Sequence, residues 1–214
     1  MSLTPNPYLE KVEKSICVFA AARPGAKVFQ QDAQKLGKLI AEAGYGLVFG
    51  GIMSGLMADV AQEVLDARLP VTGVFPHPII AGDRPEYLGP EHSYFGINLL
   101  GTQGLEARKH KMVSSSDAVI ALAGGAGSFD EIATVVELGR QANKPSSLRR
   151  FVILNTAGFY DGLEMQFNRM QEEGFVPPDC LPTFVNSPAA AMNIATAPLP
   201  DPSSSLRNFF NLGN

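Results

Sequence analysis

The chain has 214 residues, of which 45% are hydrophobic and 18% are charged, and its formal net charge is −4. This length suffices for one domain with a full hydrophobic core, and the composition is unlike that of a disordered chain. The acidic balance gives no electrostatic reason to bind nucleic acid or an anionic membrane. Because no apolar run approaches the ~20 residues of a spanning helix and the N-terminus lacks a signal-peptide pattern, the sequence predicts a cytoplasmic protein that does not enter a membrane.

Cysteine and histidine are too few and too scattered to indicate a disulfide framework or a metal site. Cys17 and Cys180 do not form a C-x-x-C pair, and Cys17 lies in an apolar run that is typical of a small buried residue. His77, His92 and His110 have no metal-ligand spacing. We therefore expect no bound metal.

Short apolar runs alternate with amphipathic segments, which is the pattern of strands alternating with helices. Predicted strands occupy 15–20, 46–49, 70–75, 117–122, 151–154 and 183–185. Predicted helices occupy 28–43, 54–65, 105–115, 128–141 and 162–173. The proline-containing stretch 76–104 interrupts this rhythm and is predicted to be an irregular loop, which at such a length is usually functional or mobile.

This alternation predicts an α/β fold, with an open parallel sheet, right-handed crossovers and helices on both faces. We expect a single nucleotide-binding domain over 15–197, with an N-terminal extension over 1–14 and a flexible C-terminal tail over 198–214. Ligands of such sheets bind at the carboxyl ends of the strands, near the point where the strand order reverses. Functional residues are therefore expected in the turns that leave the strands at this edge.

Two glycine-rich turns follow predicted strands at this edge. Glycine lets a ligand approach the backbone, and the helix after each turn offers N–H groups and the positive end of its dipole to an anion. Glycines also serve simply to make tight turns, but two such turns in one sheet favour a ligand that carries phosphate. Neither turn has the spacing of a phosphate loop with lysine or of a dinucleotide fingerprint, which favours a mononucleotide or sugar phosphate. The residues in question are Gly50, Gly51, Gly124, Gly125, Gly127 and Ser128.

Ser128 and Glu131 open the helix after the second turn, and two interpretations of them stay open. Their spacing is that of a capping box, in which Ser128 accepts from a backbone amide and Glu131 reaches back to the cap residue. Alternatively, Ser128 and the helix amides hold a phosphate while Glu131 faces the adjoining sugar. The positive end of a helix favours a charged carboxylate in the first turn, so we expect Glu131 to stabilise a cationic transition state or to orient water.

The basic run 108–111 predicts an anion-binding arginine rather than a nucleic-acid patch. On a helical wheel, Arg108 and Lys109 flank the apolar stripe, whereas His110 and Lys111 turn to solvent. Arg108 can bury its stem and direct its guanidinium inward, which suits a bidentate grip on phosphate or carboxylate. The alternative is a surface arginine whose stem covers the core.

Three segments contain most of the residues singled out above: GGIMSGLM at 50–57, ARKHKM at 107–112 and AGGAGSFDE at 123–131. In this order they resemble the LONELY GUY family of cytokinin riboside 5'-monophosphate phosphoribohydrolases, which are often labelled lysine decarboxylase-like. The family motifs are R-K-x-x-M and P-G-G-x-G-T-x-x-E, with Ala123 and Ser128 here in place of the proline and the threonine. The resemblance extends over about 15–176.

This resemblance implies a Rossmann-like homodimer that hydrolyses the N-glycosidic bond of an AMP-like purine nucleoside 5'-monophosphate, with or without an N6 substituent. The expected products are the free base and ribose 5-phosphate, and no cofactor is expected. The family's catalytic residues fall on Arg108 and Glu131, and its phosphate-binding loop falls on the second glycine turn. Gly50, Gly51 and Lys109 are further expected substrate contacts. No lysine of these motifs is assigned to pyridoxal phosphate, so we do not expect a lysine decarboxylase.

The turn after the first predicted strand departs from the family pattern. The family has C-G-S-S there, whereas this chain has Ala20-Ala21-Ala22-Arg23. Arg23 is expected either to bind the phosphate in place of the two hydroxyl groups or to fill the pocket. The altered turn keeps open a non-catalytic alternative, in which the same scaffold binds a nucleotide or a phosphorylated cofactor such as molybdenum cofactor.

Overall fold

The computed structural model describes residues 13–77, 97–141 and 146–198. The strands are β1 Ser15–Phe19, β2 Gly46–Phe49, β3 Val71–His77, β4 Ile97–Gln103, β5 Ala118–Ala121, β6 Phe151–Leu154 and β7 Thr183–Val185. The helices are α1 Lys27–Glu42, α2 Gly55–Asp66, α3 Gly104–Ser114, α4 Ala126–Gly139, α5 Asp161–Glu172 and α6 Pro188–Thr196. Within the described residues, the seven strands form one parallel sheet in the order β4-β3-β2-β1-β5-β6-β7.

The inner strands are continuous apolar runs because helices cover both faces of the sheet. α1, α2 and α6 pack on one face, and α3, α4 and α5 pack on the other. On β1, Ile16 and Val18 belong to the first layer while Cys17 and Phe19 belong to the second, as the alternation of side chains along a strand requires. The predicted α/β fold, a Rossmann-like parallel sheet in one domain, is confirmed.

The strand order reverses at the centre of the sheet, between β1 and β5. From β1 the chain adds β2, β3 and β4 towards one edge, and it then returns to place β5, β6 and β7 on the other side of β1. The turns that follow β1 and β5 are therefore neighbours and border a crevice, which is where open sheets of this kind bind ligands. The second glycine turn follows β5 directly and lies at this crevice.

Within the described ranges, the structure contains one strand and one α-helix that the sequence pattern does not predict. β4 lies within the stretch 76–104 and pairs with β3 over its whole length, so this part of the predicted loop is wrong. As an edge strand β4 is only partly buried, and its sequence therefore lacks the continuous apolar run of the inner strands. The second element is α6, which begins after Ser187, whose side chain accepts a hydrogen bond from the amide of Ala190.

Several expectations fall on residues outside the described part. The N-terminal extension over 1–14 and the C-terminal tail over 198–214 lie there, except for residues 13, 14 and 198. Residues 78–96 of the predicted loop lie there as well. In the part of the chain that the structure describes, no helix is both long enough and apolar enough to cross a membrane.

Candidate active site

Arg108 on α3 and Glu131 on α4 meet at the carboxyl edge of the sheet. Nη1 of Arg108 lies 3.6 Å from Oε1 of Glu131, and the two side chains are 14% and 11% exposed. Charged groups that are mostly removed from water, yet still reachable from a cleft, are typical of functional sites. The structure thus brings together the two residues to which the resemblance assigns catalysis, and that role stays a prediction.

Two backbone carbonyl groups hold the Arg108 guanidinium in place. Its Nε donates to the carbonyl oxygen of Val74 on β3 at 2.8 Å, and its Nη2 donates to that of Gly50, just after β2, at 3.1 Å. A side chain at Gly50 would collide with this guanidinium. The absence of a side chain at Gly50 therefore leaves room for the guanidinium. With Nε and Nη2 bonded to carbonyl groups, Nη1 faces Glu131.

The first glycine turn packs closely against its neighbours. Gly51, with φ +81°, lies against the backbone of β3. The hydroxyl of Ser54 donates to the carbonyl oxygen of Ala22 at 3.0 Å, and the amide of Met57 donates to that of Ala21 at 3.2 Å. Carbonyl oxygens of the turn after β1 thus already accept hydrogen bonds from two donors at the start of α2. Because these donors are engaged, this helix end is less able to bind an anion than the sequence suggests. Substrate contacts from the first glycine turn stay a prediction.

The second glycine turn leads directly into α4, whose first residue is Ala126 and whose N-cap is Gly125. Ser128 is only 5% exposed, its hydroxyl lies against Gly124, and no described residue hydrogen-bonds to it. Among the described residues, no fully buried side-chain oxygen lacks a partner, so this hydroxyl oxygen is not fully buried. A nearly buried hydroxyl without a protein partner is suited to donate a hydrogen bond to a ligand or to water.

The capping box predicted for Ser128 and Glu131 is wrong. α4 begins at Ala126 rather than at Ser128, the cap has no side-chain hydrogen bond, and the first turn contains no acidic residue. Glu131 therefore lies in the second turn, away from the end of the helix where the dipole acts most strongly. The last glycine of the turn, Gly127, therefore already lies within α4.

The charged form of Glu131, which a position in the first turn would favour, is opposed by burial. Burial raises the pKa of Glu131 to about 7; Arg108 and Lys109 oppose this rise, and Asp130 adds to it. Near neutral pH the carboxyl group therefore populates both protonation states. Such a group can accept a proton as well as donate one.

Lys109 lies between α3 and α4. Its Nζ is 2.8 Å from Oε2 of Glu106 and 3.0 Å from Oδ1 of Asp130. Although burial acts to lower the pKa of Lys109, hydrogen bonds with these two carboxylates raise it above the ordinary value. The ammonium group is thus charged and engaged with protein carboxylates, and a direct substrate contact from Lys109 stays a prediction.

Tyr160, to which the sequence motifs assign no role, lies beneath the second glycine turn. Its hydroxyl donates to the carbonyl oxygen of Leu122 at 2.9 Å, and its amide donates to Oδ1 of Asn155 at 2.7 Å. Burial, together with the charge of Glu131, raises the pKa of this phenol well above its usual range. Tyr160 and Asn155 lie inside the resembling region, but neither has a motif spacing that would have indicated a role.

Arg23 lies on the turn after β1, and its side chain is exposed. The backbone of Arg23 packs against Gly55 at the start of α2. Of the two expectations for Arg23, filling a pocket does not agree with this exposure, and phosphate binding stays a prediction. In the described ranges, no group of three or more His, Cys, Asp or Glu residues could hold a metal ion.

The chain is similar to other proteins over most of its length. A family model described as "possible lysine decarboxylase" matches residues 57–195. The probable cytokinin riboside 5'-monophosphate phosphoribohydrolase LOGL1 of Oryza sativa subsp. japonica is 35% identical over 179 residues, which are 82% of this chain and 74% of the relative. The cytokinin riboside 5'-monophosphate phosphoribohydrolase LOG1 of Arabidopsis thaliana is 32% identical over 187 residues, 85% of this chain and 81% of the relative. The chain belongs to the LONELY GUY family.

Solved structures share the fold of this LONELY GUY protein. The molybdenum cofactor binding protein from Rippkaea orientalis has a TM-score of 0.60 at 22% identity, over 86% of this chain and 96% of that one. The molybdenum cofactor carrier protein of Chlamydomonas reinhardtii has a TM-score of 0.56 at 22% identity, over 85% and 96% of the two chains. At this identity the likeness shows the fold alone.

Proposed function

We propose that this LONELY GUY protein hydrolyses the N-glycosidic bond of a purine nucleoside 5'-monophosphate and releases the free base and ribose 5-phosphate. The proposal is carried by one observation: the Arg108–Glu131 pair lies beside the open N-terminus of α4. The relatives named as phosphoribohydrolases of cytokinin riboside 5'-monophosphate support this reaction. They also favour an adenine that carries an N6 substituent.

The 5'-phosphate binds at the second glycine turn. The amides of Gly125 and Gly127 lie at the positive end of α4, which attracts an anion, and the Ser128 hydroxyl adds a donor that no described residue uses. Gly124 has to lack a side chain because the Ser128 hydroxyl lies against it. Anchoring the phosphate in this way positions the ribose, so that binding energy aligns the reacting bond.

Glu131 acts on the ribose C1' and on the attacking water. Glycosidic cleavage passes through an oxocarbenium-like state, which a nearby carboxylate stabilises. With a pKa of about 7, Glu131 also accepts the proton of the attacking water near neutral pH. The C1'–N bond breaks as the C1'–O bond forms. The base leaves with the electron pair and takes up a proton from solvent, and Glu131 returns the proton that it accepted to solvent. Arg108, which two carbonyl groups hold, keeps Glu131 oriented.

The description of the family model as "possible lysine decarboxylase" does not fit the lysines of the site. A pyridoxal phosphate enzyme needs a lysine whose amine is free to form a Schiff base. In the described ranges, Lys109 is the one buried lysine, and its ammonium group is paired with Glu106 and Asp130. The residues present therefore favour hydrolysis over decarboxylation with this cofactor.

The proposal includes a homodimer that works in the cytoplasm and needs no cofactor, as the family resemblance implies. Light scattering of the purified chain is expected to give about twice the mass of 22.8 kDa. A mass equal to that of one chain would remove the dimer from the proposal and leave the chemistry of the site unchanged.

A second candidate function is nucleotide or cofactor binding without catalysis. The turn after β1 favours it, because residues 20–23 supply no hydroxyl group where the family has two. Two proteins of the same fold are named as binding or carrying molybdenum cofactor. A protein of this kind would hold a phosphorylated ligand at the second glycine turn and leave it intact.

Incubation of the purified protein with AMP and with an N6-substituted AMP separates the two candidates. We expect chromatography to show free base, and we expect Glu131→Gln and Arg108→Ala to abolish its release. The matched control is Glu173→Gln, which removes an exposed carboxylate from its pair with Arg169 on α5 and should leave turnover unchanged. Binding without release of base would favour the second candidate, and full turnover in a folded Glu131→Gln variant would contradict the role of Glu131.

A further inference from the structure

Among the described residues, two ion pairs join neighbouring residues of α3 to neighbouring residues of α4. Arg108 faces Glu131 at 3.6 Å, and the next residue of α3, Lys109, faces the preceding residue of α4, Asp130, at 3.0 Å. We propose that Lys109 is a positioning residue, whose pair with Asp130 holds α3 against α4 and keeps Arg108 facing Glu131. This role, which rests on the proposed function, differs from the direct substrate contact that the sequence predicts for Lys109.

The burial of Lys109 makes it suited to this role. Its side chain is only 7% exposed, whereas those of Asp130 and Glu106 are 60% and 68% exposed. The lysine stem thus packs between the helices while its ammonium group reaches outward to two solvated carboxylates. Because the carboxylates stay in water, the pair avoids most of the desolvation cost of a fully buried salt bridge. A lysine held on both sides in this way fixes the separation of the two helices.

The same pair sets the charges around Glu131. Arg108 and Lys109 favour its ionised form, whereas Asp130 favours its neutral form. Acting through these charges alone, removal of Lys109 would raise the pKa of Glu131 and removal of Asp130 would lower it. Loss of the contact that keeps Arg108 facing Glu131 raises this pKa whichever partner is removed, because the opposite charge of Arg108 then lies farther from the carboxyl group.

Two further titratable groups face Glu131 from other elements, namely Cys17 on β1 and Tyr160 after β6. Burial and the charge of Glu131 raise the pKa of the Cys17 thiol and of the Tyr160 phenol well above their usual ranges. Both groups stay neutral around neutral pH and do not titrate together with Glu131. A shift of the Glu131 midpoint on removing Lys109 or Asp130 therefore reports on the charges of Arg108, Lys109 and Asp130.

Carbon-13 NMR of the full chain, with glutamate labelled at the side-chain carboxyl, measures the titration of Glu131 directly. The resonance is assigned by its loss in Glu131→Gln. We expect Lys109→Met and Asp130→Asn both to move the midpoint of Glu131 to higher pH, because each variant breaks the pair that keeps Arg108 facing Glu131. The matched control pair, Arg169→Met and Glu173→Gln, removes the exposed ion pair on α5 and should leave the midpoint in place.

A lower midpoint in Asp130→Asn, which charge removal alone would produce, or no shift in either folded variant, would overturn the proposal. If circular dichroism shows that Lys109→Met does not fold, Asp130→Asn decides alone, because Asp130 is mostly solvated. A raised midpoint in this variant then supports the proposal, and an unchanged or lowered midpoint overturns it. Lys109→Arg, which keeps the charge, is expected to retain the wild-type midpoint.

Kinetics provide the second measurement. We expect Lys109→Met to lower kcat by about tenfold to a hundredfold, the usual effect of misplacing a catalytic group, with KM unchanged and with recovery in Lys109→Arg. A raised KM at unchanged kcat would indicate a direct substrate contact and would overturn the positioning role. If the wild type releases no base, the proposed function fails, and the NMR titration still decides whether the Lys109–Asp130 pair controls Glu131.

Discussion

The carbonyl oxygen of Gly50 accepts a hydrogen bond from Nη2 of Arg108 at 3.1 Å. A Cβ atom at position 50 would occupy the space of this guanidinium, so a glycine after β2 and an arginine on α3 depend on one another. Val74 on β3 accepts from the same guanidinium at 2.8 Å. The orientation of Arg108 towards Glu131 is therefore set by β3 and by the turn after β2, in addition to the helix that carries the residue.

Substitution of Gly50 tests this dependence. We expect Gly50→Ala to displace the guanidinium and to lower kcat by about a hundredfold, since a misplacement of about 1 Å can cost that much. The matched control is Gly162→Ala on α5, where an added Cβ meets no atom within 4 Å and activity should not change. Steady-state kinetics of the two folded variants measure the effect. A wild-type kcat in Gly50→Ala would mean that catalysis does not depend on the position of the Arg108 guanidinium that these two carbonyl groups set.

Loss of the Ser128 hydroxyl should weaken substrate binding with little effect on folding. A hydrogen bond to a charged group is worth about 1.5–3 kcal/mol, so we expect Ser128→Ala to raise KM by about tenfold to a hundredfold at similar kcat. Stability should change by less than about 0.5 kcal/mol, because no described residue hydrogen-bonds to this hydroxyl. Ser114→Ala on α3, which removes an exposed hydroxyl, is the control for KM. An unchanged KM in Ser128→Ala would place the phosphate elsewhere.

The inner part of the fold can be predicted from the sequence because its strands are buried on both faces. β1, β2, β5 and β6 are continuous apolar runs, and each begins and ends within one residue of its prediction. β4 has no such signal, since it is an edge strand and its assignment depends on pairing with β3. The sequence of a single segment does not show which other strand it will pair with in the sheet.

The position of the candidate site could be predicted from its motifs. The start of α4, the pKa of Glu131 and the partners of the basic residues could not. Whether α4 begins at Ala126 or at Ser128 depends on the φ angles of a glycine turn, which permits either start. The burial that raises the pKa of Glu131 comes from elements distant in sequence. A helical wheel also leaves Arg108 and Lys109 equivalent beside the apolar stripe, whereas the structure gives them different partners.

The Tyr160 hydroxyl should stabilise the second glycine turn, where we propose that the phosphate binds. In Tyr160→Phe the ring still packs in the core, but the carbonyl oxygen of Leu122 loses its donor, so we expect the free energy of unfolding to fall by about 1–3 kcal/mol. Tyr45→Phe, in which no hydrogen bond of the described residues is lost, is the matched control and should stay within about 0.5 kcal/mol of the wild type. Urea unfolding of both variants measures the difference. Equal stabilities of the two variants would show that the hydroxyl is not a structural anchor.

Glu131 should make the stability of the protein depend on pH. Burial raises its folded-state pKa to about 7 from 4.5, so between these values the folded protein holds more protons than the unfolded chain. Its stability should therefore be highest below the unfolded value and should fall as the pH rises to about 7. A shift of this size corresponds to a change on the order of 3 kcal/mol.

The variant Glu131→Gln has no titrating group at this position and should lose this dependence. Its free energy of unfolding should therefore increase relative to that of the wild type as the pH is raised from about 5 to 8, because only the wild type has to bury an ionised carboxyl group. Urea unfolding at closely spaced pH values measures the difference, with Glu173→Gln as the control for loss of an exposed carboxylate. Parallel curves for the wild type and Glu131→Gln would mean that Glu131 ionises at its ordinary pKa, and the proton transfer assigned to it near neutral pH would then be lost.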